Sequence, residues 1–239
     1  MKNKIGVFDS GIGGLTTLEE IRKILPNEDF IYYADSKNNP YGSKTTEELE
    51  SITKNIVNYL LEQKVKIIVV ACNTATTRCI DYLRKSYPDT IFIGTVPAVK
   101  VSFDNNYKNT LLMATPATIK SDKTKELIDN FKKEDQNIYL LPCDNLANAI
   151  ENKDDKLIDK LLNEYLTPYQ NKNIDAIVLG CTHYPIIKDR IQKYFPNAKL
   201  LDGNNGVARR VKYQLEKHNI LNNNRTKGKV KYIQTKKVS

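Results

Sequence analysis

Histidine and cysteine are scarce in this 239-residue chain: only His183 and His218, with Cys72, Cys79, Cys143 and Cys181, and no two cysteines form a C-x-x-C pair. Zinc-type ligand spacing is therefore absent, and a structural metal site is not expected. Long apolar runs are also missing. No stretch approaches the roughly 18 to 20 apolar residues of a membrane span, and the opening Met1 to Phe8 is too short for a signal peptide. A cytoplasmic protein with reduced thiols is the resulting expectation, with no membrane partner. Acidic residues are lacking from one region only: residues 217 to 239 contain Lys217, Arg225, Lys227, Lys229, Lys231, Lys236 and Lys237 and no Asp or Glu. Seven of the net +9 charges thus sit there, leaving +2 on the rest. Such a segment could hold polyanions, but it lacks aromatic interleaving and any nucleic-acid motif, so no nucleic-acid partner is expected.

What is present is a rhythm. Short apolar runs at Ile5–Phe8, Phe30–Ala34, Ile67–Ala71, Ile91–Gly94, Leu111–Ala114, Ile138–Leu141, Ala176–Gly180 and Lys199–Leu201 read as strands. Amphipathic stretches between them, including Thr16–Leu25, Thr46–Glu62, Thr76–Ser86, Thr124–Lys132, Lys156–Tyr165 and Ile186–Tyr194, read as helices. Strands that are apolar throughout, rather than alternating, indicate parallel sheets covered by helices on both faces, an α/β fold.

Two strand ends match. "IIVVACNTATT" and "AIVLGCTHYP" each run through buried-looking residues to a small residue, then Cys, then residues that form hydrogen bonds, with Cys72 and Cys181 separated by 109 positions. A cysteine at such a place can be packing, a metal ligand, half of a disulfide or a working thiol. Taken singly, packing is the first explanation, and Cys79 and Cys143 suit it. The matched pair favours function, because the carboxyl edge of a parallel sheet is where open α/β folds place their ligand crevice.

A third polar strand end, "IGVFDSGIGGLTTLEEI", runs into Asp9-Ser10-Gly11 and Gly13-Gly14 before a helix. It departs from the G-x-G-x-x-G dinucleotide pattern, and Asp35 is the nearest acidic residue to complete one, so a nucleotide cofactor is discounted. A helix amino terminus with exposed N–H groups remains, suited to a small carboxylate.

Together these residues resemble the cofactor-independent glutamate racemases of the aspartate/glutamate racemase superfamily. The blocks that carry the resemblance are "GVFDSGIGGL" at 6 to 15, "YYADSKNNPYGSKT" at 32 to 45, "VVACNTATT" at 69 to 77, "GTVPAVK" at 94 to 100, "VLGCTHYP" at 178 to 185 and "LLDGNNGVARRV" at 200 to 211. The resemblance implies two pseudo-symmetric parallel-sheet α/β domains, 1–95 plus 207–239 and 96–206, with the active site in the cleft between them. It further implies racemisation of glutamate for cell-wall peptidoglycan by two cysteines, a homodimer, and no cofactor or metal.

Such chemistry is within reach of thiols. Removing the Cα proton on one face and returning one on the other needs a base and an acid, and a thiolate serves if its pKa is lowered or a neighbour takes its proton. By resemblance Cys72 acts on the D-enantiomer assisted by Asp9, and Cys181 on the L-enantiomer assisted by His183, with Glu151 supporting His183. The same resemblance assigns substrate contacts to Asp9, Ser10, Pro40, Tyr41, Gly42, Asn73, Thr74, Thr118 and Thr182. Asn73 at a helix start would also serve as an N-cap.

The chain departs from the family pattern at Thr124, where a tyrosine is usual, at Asp144, where a proline is usual, and at Asp202-Gly203-Asn204. It also stops short of a final helix, and the lack of an extension before "IGVFDSG" resembles members without an activator site. These differences bear on pocket shape and on packing of the last strand. The competing enzyme reading is aspartate or another small diacid on the same thiol pair. A polyanion-binding role for the basic segment and a thiol-redox role are the readings from other classes.

Overall fold

The computed structural model describes residues 3–223 and 226–236, so Arg225 and Lys237 of the basic segment lie outside the described residues. In chain order the elements are β1 (Lys4–Asp9), α1 (Leu15–Ile24), β2 (Asp29–Ala34), α2 (Thr46–Glu62), β3 (Val65–Val70), α3 (Asn73–Ser86) and β4 (Phe92–Gly94). Then come α4 (Val99–Asp104), β5 (Asn109–Ala114), α5 (Pro116–Ile119), α6 (Asp122–Phe131), β6 (Asn137–Pro142), α7 (Leu146–Glu151), α8 (Asp155–Leu166), β7 (Ala176–Leu179), α9 (Lys188–Tyr194) and β8 (Lys199–Leu201). The chain finishes with α10 (Asn204–Lys217) and β9 (Val230–Gln234). It divides into two compact units, one built from the chain up to Thr95 and from Asn204 onward, the other from Val96–Gly203.

The first unit holds a five-stranded sheet in the order β4-β3-β1-β2-β9, parallel at every pairing. Successive strand residues point to opposite faces, so an apolar run is required wherever both faces are covered. The run Ile67 to Val70 shows this directly. Ile67 and Val69 join the core beneath α1 and α10, whereas Ile68 and Val70 join the core beneath α2 and α3. Burying each such side chain contributes about 1.5–3 kcal/mol. α2 is fixed at its start by a capping box, in which Thr45 Oγ1 accepts from the Glu48 N–H and Glu48 accepts from the Thr45 N–H.

The second unit repeats the scheme with four parallel strands, β6-β5-β7-β8. Leu111, Met113, Ile177 and Leu179 face the core made with α7, α8 and α9, while Leu112, Ala114 and Val178 face the one beneath α4 and α6.

The basic segment yields a finding that its charge concealed. Residues 230–234 are the edge strand β9, registered on β2 from Phe30↔Val230 to Ala34↔Gln234. Its approach is tightly packed: a Cβ on Gly228 would stand 1.8 Å from the Glu28 carbonyl oxygen. Just upstream, the buried side chains of Lys66 and Glu28 form an ion pair at 2.6 Å, Lys66 Nζ also donates to the Ile220 carbonyl, and Glu28 Oε1 accepts from the Asn222 N–H. Lysine on an exposed edge strand discourages pairing with another chain, which gives Lys229 and Lys231 a structural reason for their place.

Candidate functional site

In the first unit three strand ends supply the polar groups. β1 ends in Asp9, which is fully buried, and its Oδ2 accepts from the N–H groups of Gly11 at 3.2 Å and Gly14 at 3.1 Å. Gly14 is required by this wrap: a Cβ there would lie 2.6 Å from Asp9 Cβ and 2.9 Å from Tyr32 Oη. Tyr32 Oη donates to the Gly11 carbonyl at 2.7 Å. The α1 amino terminus therefore differs from the sequence expectation of a terminus exposed to ligand, since the carboxylate gripped by Gly11 and Gly14 is the chain's own Asp9. A charged acceptor at that end of the helix is electrostatically favoured.

Beyond β3, Cys72 stands in extended conformation as the N-cap of α3, with its Sγ 3.9 Å from Ser10 Oγ. Asn73 is consequently the first helical residue and does not cap α3. Its Oδ1 is buried with no hydrogen-bond partner among the described residues, a costly condition that a donor from a ligand would relieve. Thr74 is buried in the same first turn.

After β2, the segment 35–43 turns through a cis Asn39–Pro40 bond into a short 3-10 turn, Tyr41–Ser43. Tyr41 is buried and donates from Oη to Asp35 Oδ2 at 2.8 Å, and desolvation with the neighbouring Asp35 carboxylate pushes its pKa well above the ordinary tyrosine value. Charges on Cys72 and Asp9 act on the same hydroxyl in the same direction, which brings the turn within electrostatic reach of the thiol. Pro40 itself is exposed and Gly42 half-buried.

The second unit assembles a different constellation at the end of β7. Cys181 Sγ lies 3.9 Å from His183 Nδ1, and His183 Nε2 lies 2.7 Å from Glu151 Oε2. Glu151 is the last residue of α7, so two separate segments build the relay. The imidazole side chain is 1% exposed and the carboxylate 10%. With the Nε2 proton directed at Glu151, Nδ1 is the acceptor that faces the thiol. Gly180 is obligatory here, because a Cβ would approach the Met113 carbonyl oxygen and Ala114 Cβ at 2.9 Å.

Thr182 is buried beside Cys181 in sequence, whereas Thr118 is fixed in the α5 turn, where its hydroxyl pairs with Thr115 Oγ1 at 3.0 Å. The Thr124 hydroxyl pairs with Ser121 Oγ at 3.0 Å, so this departure from the family pattern is a satisfied helix-start network. The remaining thiols are sealed. Burial pushes Cys79 up from 9.0 to about 12 and Cys143 further still.

The constellations therefore keep Asp9, Ser10, Tyr41, Cys72, Asn73 and Thr74 on the first sheet, and Thr118, Glu151, Cys181, Thr182 and His183 on the second. Asp35 is the buried acceptor that sequence reasoning undervalued, having entered only as a poor match to a nucleotide motif. Its local signal is the D-x-x-N spacing, for Asn38 Nδ2 donates to both of its carboxylate oxygens. Among the described residues no group of three or more His, Cys, Asp or Glu could hold a metal, and no helix is long and apolar enough to cross a membrane.

Known proteins bear on this geometry. A Clostridium botulinum protein called glutamate racemase is 43% identical over 237 residues, 97% of this chain and 92% of its own length. The crystal structure of a Francisella tularensis glutamate racemase in complex with D-glutamate matches at TM-score 0.84 and 33% identity, covering 98% of this chain and 89% of that one. A glutamate racemase isoform from Bacillus anthracis matches at TM-score 0.87 and 28% identity, covering all of this chain and 91% of the other. Residues 5–211 match the family described as Asp/Glu/Hydantoin racemase, and with that extent of agreement the chain belongs to this family of racemases.

Proposed function

We propose that this protein interconverts L- and D-glutamate with Cys72 and Cys181 as the two acid/base groups, and that the D-glutamate serves peptidoglycan synthesis. The observation that carries the reading is the thiol–imidazole–carboxylate series Cys181–His183–Glu151, opposite in chemistry to a packing cysteine and placed at a strand end like that of Cys72. The relatives named glutamate racemase, one of them holding D-glutamate, support the choice of substrate.

In the L to D direction Cys181 Sγ takes the Cα proton, its own proton having passed to His183 Nδ1, and Cys72 delivers a proton to the opposite face of the carbanion. In the reverse direction Cys72 is the base, with its thiol proton accepted by the Asp9 side of the site through Ser10. Positioned proton transfer of this kind contributes about 100- to 10,000-fold each. The unpaired Asn73 Oδ1 suits the substrate ammonium. Ser10, Thr74, Thr118 and Thr182, with the backbone N–H groups of the Tyr41–Gly42 turn after Pro40, suit the two carboxylates. The Tyr41 hydroxyl proton is already engaged by Asp35, so that turn serves through its backbone. No cofactor enters these steps, and the working form is a homodimer.

The test is incubation with L- and D-glutamate in D2O, following optical rotation and Cα deuterium by NMR. Exchange and inversion are expected for the wild type and loss of inversion for Cys72→Ser and Cys181→Ser. Serine variants that invert like the wild type would refute the mechanism. Parallel rates on D/L-aspartate decide the substrate, since one methylene discriminates by only about 10- to 200-fold.

A further inference from the structure

We propose that Thr235, next to the carboxyl end of β9, is a positioning residue that holds the Pro40–Tyr41–Gly42 turn in register for substrate. The proposal rests on the reading of that turn as a substrate contact. Its basis is a closed set of bonds spanning 200 residues of sequence. Thr235 Oγ1 accepts from the Lys37 N–H at 2.9 Å and donates to Asp35 Oδ1 at 3.0 Å. The same carboxylate accepts from Tyr41 Oη and from Asn38 Nδ2, and Asp35 is buried. Backbone bonds tie both ends of the clasp to the sheet: the Thr235 N–H donates to the Ala34 carbonyl at 3.0 Å and the Asp35 N–H to the Asp9 carbonyl at 2.9 Å. A second tie, Gln234 Nε2 to Ser36 Oγ, closes the outer side.

The physical consequence follows from what a buried carboxylate requires. Asp35 holds Tyr41 most firmly with its full set of donors in place, because a buried carboxylate that loses a donor reorganises its remaining partners. Thr235 shares the Oδ1 acceptor with Asn38 Nδ2 and at the same moment fixes the backbone at Lys37, two residues before Asn39. The last strand thereby acts on the loop through Asp35, the Lys37 N–H and Ser36, and a substrate carboxylate meets N–H groups already in place. Preorganisation of this sort lowers the cost of binding rather than the barrier to proton transfer.

The experiment compares Thr235→Val, which keeps the shape and removes the hydroxyl, with Thr235→Ser, which keeps the hydroxyl. Expected for Thr235→Val is a roughly five-fold rise in KM for glutamate with kcat within about two-fold of wild type, and near wild-type values for Thr235→Ser. Amide hydrogen exchange is expected to quicken across residues 36–44 in Thr235→Val and to stay unchanged in β1 and β3. Wild-type KM and wild-type loop exchange in Thr235→Val would overturn the proposal, as would equal loss of kcat in both variants with exchange raised throughout the sheet. A wild type that racemises nothing would refute the functional reading by itself, and the exchange measurement would still decide the clasp.

Discussion

Cys72 and Cys181 end equivalent strands of two sheets, yet the chain arms them differently. After β3 the helix α3 begins at once, so Cys72 is an N-cap and its thiol neighbours a hydroxyl, Ser10, which follows a carboxylate held by backbone N–H groups. After β7 the chain makes a short turn first, His183 becomes the residue before it, and the imidazole bridges Cys181 to Glu151. The sheet decides where a thiol stands; the few residues after the strand decide which polar groups it meets. One fold can thus give two strand-end thiols unlike polar neighbours at corresponding points.

The largest expected effect tests that asymmetry. On the proposed mechanism His183 takes the Cys181 proton, so for His183→Asn kcat is expected to fall about 100- to 10,000-fold. Both enantiomers are equally stable, so kcat/KM must fall equally in the two directions, and the asymmetry has to be read from deuterium. With Cys72 intact, D-glutamate should exchange its Cα proton faster than it inverts, whereas L-glutamate should scarcely exchange. Asp9→Asn should give the mirror pattern. Equal exchange of both enantiomers in both variants would show that the two thiols are not served by separate partners.

A smaller loss is expected for Glu151→Gln. The amide keeps an oxygen near His183 Nε2, 2.7 Å from Glu151 Oε2 in the native arrangement, but no longer stabilises an imidazolium. Outer partners of this kind typically matter about 10- to 100-fold. Activity should fall within that range, and the acidic limb of the kcat profile should move relative to wild type. Activity equal to His183→Asn would mean that the carboxylate, rather than the imidazole alone, is indispensable.

Much of this architecture was legible because parallel strands covered on both faces are apolar, and the five interior strands β1, β2, β3, β5 and β7 announce themselves in that way. β9 did not, since as an edge strand it alternates lysine with Val230, Tyr232 and Ile233 and reads as a charged tail. α10 is similarly quiet, with only Val207, Ala208, Val211 and Leu215 buried among polar residues. The thiol pair was visible from matched strand ends, but Glu151 looks like any solvated helix-end acid until α7 is folded against the β7 loop. The Thr235–Asp35 pair carries no local pattern at all, because its two members meet only when β9 lies beside β2.

The smallest effect separates each strand-end thiol from the sealed thiol of its own unit. Cys79 of α3 is held protonated by desolvation, with its pKa raised from 9.0 to about 12, and Cys143 is raised in the same direction for the same reason. An unfolded chain ionises these thiols near their ordinary values, while the folded chain keeps the protons. The native state therefore binds more protons in this window, and the stability they confer is whole below pH 9 and is lost as the pH climbs toward 12. Each such thiol should contribute roughly 1.4 kcal/mol of lost stability per pH unit. Urea unfolding between pH 8 and 10.5 should show a shallower decline for Cys79→Ala than for the wild type, superimposed on a constant packing loss. A decline of the same slope in Cys79→Ala and wild type would place the titration elsewhere, with Tyr41 and Tyr184, whose pKa values burial also raises, as the groups to replace next.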